Sequence, residues 1–212
     1  MDDRYAGFSP GFFARTDAAA DDVFYEPARL VTHIDDGAIA AVGATYAALG
    51  LDGSVAAVHV LDLMSSWISH FRTPPAQLTV LGMNSAELDR NEAATERVVH
   101  DLNADPTLPF ADATFDGAVC CVSVDYLVRP IEVFDEVARV LRPGAPFVCT
   151  FSNRCFPTKA IRGWLGADDA GHCSIVGEYF RRAVGFDAPQ ASRVTPDGHR
   201  GDPLYAVWAQ RA

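Results

Sequence analysis

One lysine, Lys159, stands among 17 basic residues, against 28 acidic ones, for a net charge of -11. No cluster of lysine and arginine is large enough to neutralise a run of phosphates, which argues against a nucleic-acid partner and for small or neutral ligands. The arginine bias itself reads as genome composition and carries no mechanistic weight. Long apolar runs are also missing: none approaches the roughly 20 residues that cross a bilayer. The start, "MDDRYAGFSPGFF", lacks the basic-then-apolar order of a secretory signal, so a soluble cytoplasmic protein with no membrane partner is expected. The five cysteines form no CxxC pair, and three lie in apolar runs, as small buried hydrophobes in a reducing compartment do. Cys155 and Cys173 lie outside those runs and are the candidates for a thiol or zinc role; no metal is otherwise called for. The GxGxxG fingerprint is absent, which sets nicotinamide dehydrogenases aside.

What is present is an alternation of periods. With 49% apolar residues in 212, the chain is long enough for one domain with a full core. Residues 38–49, "AIAAVGATYAAL", are helix formers, and "AAVHVLDL" at 56–63 is a near-continuous apolar run, as a strand buried on both faces would be. Further strand-like runs follow at 78–82, 97–102, 116–124 and 146–153, with a helical stretch from "SAELDRN" after the second. The clearest helix is "PIEVFDEVARVLRPG": Val133, Phe134, Val137, Val140 and Leu141 share one face, with Arg142 in the last turn and Pro143-Gly144 as the stop. After a helix ending in "EYFRRAVGF", the runs "QASRVT" and "LYAVWAQ" follow one another without a helix, as an antiparallel pair does. The pattern implies a doubly wound, mainly parallel seven-stranded α/β sheet with an antiparallel terminal strand and helices on both faces. Residues 1–50 read as an arm and helix, with a possible lid over the substrate, and 51–212 as the body of what is overall one domain.

In such sheets ligands bind beyond the carboxyl ends of the strands. The residues there are Asp62 to Trp67, Gly82 to Glu87, Asp101 to Asn103, Ser123 to Tyr126 and Ser152 to Arg154.

The run "LPFADATFDGAVCCVSVDYLVRPIEVFDEVARVLRPGAPFV" resembles the central segment of class I S-adenosylmethionine-dependent methyltransferases of the type 11 domain family. The combination carries the match: an LPF segment, "TFD", an apolar strand, a helix with an acidic start, and "VLRPG" before the next strand. The similarity runs from about Val58 to Phe151. It implies a Rossmann-like methyltransferase fold, S-adenosylmethionine as cofactor, and methyl transfer to an O, N or S nucleophile of a small molecule. The alternative is a non-catalytic or repurposed S-adenosylmethionine-binding domain of the same fold. Oligomeric state is left open.

The resemblance also implies residue roles. Asp62 begins the loop that holds the methionine part of the cofactor. The acid that takes both ribose hydroxyls falls at Asn84, an amide, with Glu87 one turn on as a substitute. Asp101 is placed to accept from the adenine amino group, with Leu102 on the ring and Asn103 beside it, and Ser123 to Tyr126 lies under the sulfonium. The family's glycines after the first strand are replaced by Met64, Ser65, Ser66 and Trp67. Glycine there lets backbone approach the cofactor; Ser65 and Ser66 are the next smallest polar choices, with hydroxyls for the cofactor's charged ends, while Met64 and Trp67 are expected to pack outward or under the loop.

Methyl transfer needs a base only where the acceptor must lose a proton. His33, His172, Asp125 and Tyr126 are the candidates, with His33 and Tyr126 preferred as the catalytic pair. His33 can equally be a capping or surface residue, and Tyr126 plain packing. The aromatics Phe8, Phe12, Phe13, Phe24 and Tyr25 make the arm either a packed strap or a water-excluding lid. Arg154, Lys159 and Arg162 after the fifth strand suit either an anionic acceptor or solvated charge.

Overall fold

The computed structural model describes residues 3–212. Its strands are β1 (His59–Leu63), β2 (Gln77–Gly82), β3 (Glu96–Val99), β4 (Gly117–Cys121), β5 (Pro146–Phe151), β6 (Gln190–Arg193) and β7 (Tyr205–Gln210). The helices are α1 (Asp21–Tyr25), α2 (Asp36–Ala48), α3 (Ser85–Leu88), α4 (Pro130–Val140), α5 (Arg162–Leu165) and α6 (Asp169–Arg182). One seven-stranded sheet has the order β3-β2-β1-β4-β5-β7-β6, with only β7 running against its neighbours β5 and β6. The order reverses at β1 and β4, and a crevice opens there beyond the strand ends.

Residues of β1, β2, β4, β5 and β7 alternate between two buried layers, which is why their sequence runs are almost wholly apolar, while the edge strands β3 and β6 are mostly exposed. Leu61, Leu63, Ala118, Cys120, Phe147 and Cys149 face the layer of Phe134 and Val137 from α4 and Val176, Tyr179 and Phe180 from α6. Val60, Val80, Val119, Val148 and Ala206 face the other, where α2 contributes Ala38, Val42 and Tyr46. Helix α2 is capped by Asp35, whose side chain accepts from Ala38 N at 2.8 Å. Its small residues let it sit close: a Cβ on Gly43 would lie 2.9 Å from the backbone oxygen of His70.

The β1–β2 crossover, residues 64–76, contains no helix. Two local expectations change. The stretch after β2 forms a single helical turn, α3. Arg142 lies beyond the end of α4, which stops at Val140 with Arg139 in its last turn, and pairs instead with Asp116.

The arm divides in two. Tyr5, Phe8, Phe12 and Phe13 form an aromatic cluster that reaches Tyr179 of α6, so its first half is a strap on the sheet's helical face. From Asp21 onward it lies over the strand ends.

Candidate active site

A cavity of about 320 Å³ fills the crevice. Its floor is the segment Met64 to His70, together with Leu81 to Asn84, His100 to Asn103 and Cys121 to Ser123; Tyr25, Arg29, His33 and Phe156 wall it from above. Two backbones at the strand ends are left-handed without being glycine: Met64 at φ 53° after β1 and Val122 at φ 46° after β4. A β-branched residue there is strained, and such strain gathers at functional sites.

Asp62 is buried, and its Oδ2 accepts from Ser65 Oγ at 2.8 Å and Ser69 Oγ at 2.6 Å. Burial pushes its pKa up to about 6 against the two hydroxyls, and no cation is among the groups acting on it. Ser65 N donates to Leu81 O at 2.8 Å, which brings the loop across the end of β2. Gly82 makes room: a Cβ there would stand 2.2 Å from Ser65 O. The Ser65 and Ser66 hydroxyls therefore point to Asp62 and Glu87, with Ser66 Oγ 2.5 Å from Glu87 Oε2. Met64 and Trp67 do not point outward: both line the cavity, Met64 also packs against the core beneath the loop, and Trp67 Nε1 donates to Val31 O of the arm at 3.1 Å.

Asn84 is occupied structurally. Its Oδ1 caps α3 by accepting from Glu87 N at 3.0 Å, and its amide donates to Tyr25 O at 2.8 Å and Glu26 O at 2.9 Å. Glu87 accepts from Arg29 N through Oε1 and from Ser66 through Oε2, one bond on each oxygen, so each keeps a lone pair for a further donor. Asp101 uses Oδ1 for the amides of Asn103 and Ala104, an Asx turn that leaves Oδ2 outside that pairing. Leu102 is buried in the cavity wall. Asn103 is fully engaged: its amide donates to Asp21 and Tyr126 O, and its oxygen accepts from Val128 N.

Ser123 donates to Cys121 O at 2.9 Å on the cavity floor. Tyr126 lines the cavity, its oxygen accepting from Phe156 N at 2.8 Å; burial first and Asp125 second raise its pKa, so it keeps its proton and can donate but cannot serve as a base. His33 faces the cavity edge-on to Phe156 at 5.4 Å. Burial lowers its pKa, with Glu87 opposing and Arg29 assisting, which leaves a neutral imidazole.

The other proposed bases do not reach the site. His172 is stacked on Trp164 at 4.0 Å, with Nε2 against Trp164 O, because α5 and α6 bury it under β5. Asp125 is buried outside the cavity wall. Of the basic residues read as either an anion site or solvated charge, Lys159 is neither, buried against Asp21 and Asp17, and Arg154 pairs with Asp202. Tyr46, His70 and Arg29 line the cavity without having been singled out by sequence. The one sequence signal for Tyr46 is a lone ring in an alanine-rich helix; His70 and Arg29 had none.

Residues 41–149 match the model of the methyltransferase domain, half of the chain, and the chain belongs to that family. Among solved structures it is similar to a SAM-dependent methyltransferase from Aquifex aeolicus, at 14% identity and a TM-score of 0.57, over 97% of this chain and 100% of that one. A SAM-dependent methyltransferase from Mesorhizobium loti aligns at 16% identity and TM-score 0.52, over 79% of this chain and 98% of that one. The biotin biosynthesis bifunctional protein BioHC of Teredinibacter turnerae is 25% identical over 105 residues, 47% of this chain but 18% of that protein's length.

The cavity has the features that S-adenosylmethionine would need. A buried acid without a cation, an unpartnered tyrosine hydroxyl and carboxylate oxygens with spare lone pairs line one continuous space at the switch point.

Proposed function

We propose that the chain transfers a methyl group to a small-molecule nucleophile held between the arm and the ends of β1 and β4. The observation that carries this reading is the cavity itself, walled on its outer side by Tyr25, His33, Tyr126 and Phe156. Such a roof suits a compact acceptor better than a polymer, and the net charge of -11 disfavours a nucleic-acid one.

Bound S-adenosylmethionine supplies an activated methyl on a sulfonium. In this reading Asp62 takes the ammonium at the amino-acid end, Glu87 in place of Asn84 takes a ribose hydroxyl, and Asp101 Oδ2 takes the adenine amino group with Leu102 against the ring. Met64 and the Ser65–Ser66 backbone run alongside the cofactor, while Asn103 holds the adenine turn. Ser123 and Tyr126 face the acceptor, Tyr126 as a donor. His33, neutral and partly open to solvent, removes the acceptor's proton where one must leave. The aromatic walls exclude water, and their faces favour a nearby cationic centre.

The test is incubation with S-adenosylmethionine labelled in the methyl group, with separate small-molecule, protein and nucleic-acid pools. Label in the small-molecule pool, abolished by heat denaturation of the enzyme, supports the reading. Label confined to macromolecules would overturn it. The repurposed-domain alternative, favoured by the helix-free crossover and Met64, predicts cofactor binding with no label transferred to any pool.

A further inference from the structure

Six buried side-chain atoms among the described residues lack a hydrogen-bond partner, and two of them belong to residues that line the cavity: the Tyr46 hydroxyl and His70 Nδ1. Tyr46 is 1% exposed, so its hydroxyl has no water to fall back on. An orphaned buried polar atom is costly, and a ligand atom bonded to it would recover that cost.

The two atoms belong to one corner. The Tyr46 ring packs on Phe71 at 4.8 Å, and Phe71 follows His70 in the chain. Ser69, on the other side of His70, donates to Asp62. Gly43, one turn before Tyr46, brings the backbone of α2 against the His70 carbonyl. The corner thus gathers an acid with no cation beside it and two unpaired side-chain atoms, one hydroxyl and one imidazole nitrogen. A zwitterionic amino acid has the complementary pattern, an ammonium for the acid and a carboxylate for the donors.

We propose that Tyr46 and His70 bind the carboxylate at the amino-acid end of the cofactor. This rests on the cofactor assignment made above, and it follows from what the crossover lacks. Anions are commonly held by free backbone amides where a strand passes into a helix. Here no helix follows β1, and Ser65 N is already bonded to Leu81 O. Recognition therefore passes from backbone to side chains, one on α2 and one on the loop. Burial supports the donor assignment: it raises the Tyr46 pKa and lowers that of His70, so the first keeps its proton and the second is a neutral ring with one N–H. The internal competitors for the Tyr46 hydroxyl are Thr150 Oγ1, which also lacks a partner, and the Cys121 thiol.

The experiment is calorimetric binding of two probes, S-adenosylhomocysteine and 5′-methylthioadenosine, which share the nucleoside and thioether but differ in the amino-acid end. Tyr46→Phe and His70→Leu each narrow the wild-type preference for the first probe by about tenfold, the scale of one hydrogen bond to a charged group. Affinity for the second probe stays at the wild-type level, which also shows that the variants are folded. His70→Asn, which keeps a donor near the Nδ1 position, restores most of the preference, and Thr150→Val leaves it unchanged. The proposal is overturned if both variants keep the wild-type preference, or if Thr150→Val narrows it as much as Tyr46→Phe does. Should Tyr46→Phe fail to fold, the two His70 variants decide alone. Binding of neither probe by the wild type would instead remove the cofactor assignment, and this proposal with it.

Discussion

Lys159 Nζ lies 2.9 Å from Asp21 Oδ1, with the two side chains 0% and 2% exposed. The chain's single lysine is thus spent on holding the arm at the edge of the cavity. Asp21 also accepts from Arg15 Nη1 at 2.8 Å and from Asn103 at 2.8 Å, so one carboxylate joins the arm, the β3 turn and the segment after β5. These bonds, with the Lys159 pair, hold its pKa below the usual range against the burial that would raise it.

Asp21→Ala removes the centre of that network and leaves a buried ammonium with Asp17 as its remaining carboxylate. A loss of about 3–5 kcal/mol in urea unfolding is expected, as for a buried pair broken from one side. Lys159→Met costs less, because Asp21 keeps Arg15 and Asn103. Equal losses from the two substitutions would show that the network is not centred on Asp21.

Asn84→Asp, which sequence alone favours as a restored ribose acceptor, turns a donor into an acceptor facing the carbonyls of Tyr25 and Glu26. The expected outcome is weaker hold on the arm: faster limited proteolysis between residues 25 and 33, and no gain in S-adenosylhomocysteine affinity. A gain in affinity with unchanged proteolysis would return the ribose to this side chain.

Gly82→Ala places a methyl against the Ser65 carbonyl, a backbone atom that cannot rotate away. We expect about 1–3 kcal/mol of destabilisation, as for overpacking, together with weakened cofactor binding as the loop shifts. Gly144→Ala is the control: Gly144 has φ 81° with nothing near its missing Cβ, so only the conformational cost of about 1–2 kcal/mol is expected, with binding intact.

Burial pushes the Asp125 pKa up to about 8, and its Oδ2 has no partner. The folded value lies above the roughly 3.9 of an unfolded aspartate. The folded state therefore keeps a proton that the unfolded chain has released, so the stability linked to this group is full at acid pH and is lost as pH rises through about 8. Between about pH 6.5 and 8.5 the wild type should lose on the order of 2 kcal/mol that Asp125→Asn retains. Parallel curves for the two proteins in urea titrations would show that Asp125 is solvated or paired in solution.

The central strands were legible because both of their faces are buried, so Val60 and Leu61 are apolar for separate reasons and together make an unbroken run. The helical face of α4 was legible from Val133, Phe134 and Val137 in the same way. What sequence misjudged were contacts between distant segments. Nothing in "LGMNSAEL" says that the Asn84 amide meets carbonyls of Tyr25 and Glu26, or that the Ser66 hydroxyl is claimed by Glu87. Tyr46 and His70 stayed hidden because an orphaned atom is defined by what is not around it, which spacing along the chain does not encode.

The crossover after β1 has one more consequence. Its backbone amides donate at its two ends, Ser65 to Leu81 and Gln77 to Val58, and no residue from Ser66 to Ala76 is among the backbone-to-backbone donors. In deuterated solvent this stretch takes up label early while β1 and β2 on either side of it, in the middle of the sheet, hold their protons to the last. A fast-exchanging ribbon between two slow strands is a built-in reporter: slowing of exchange from Ser66 to Arg72 on addition of a ligand reads occupancy of the cavity without any turnover.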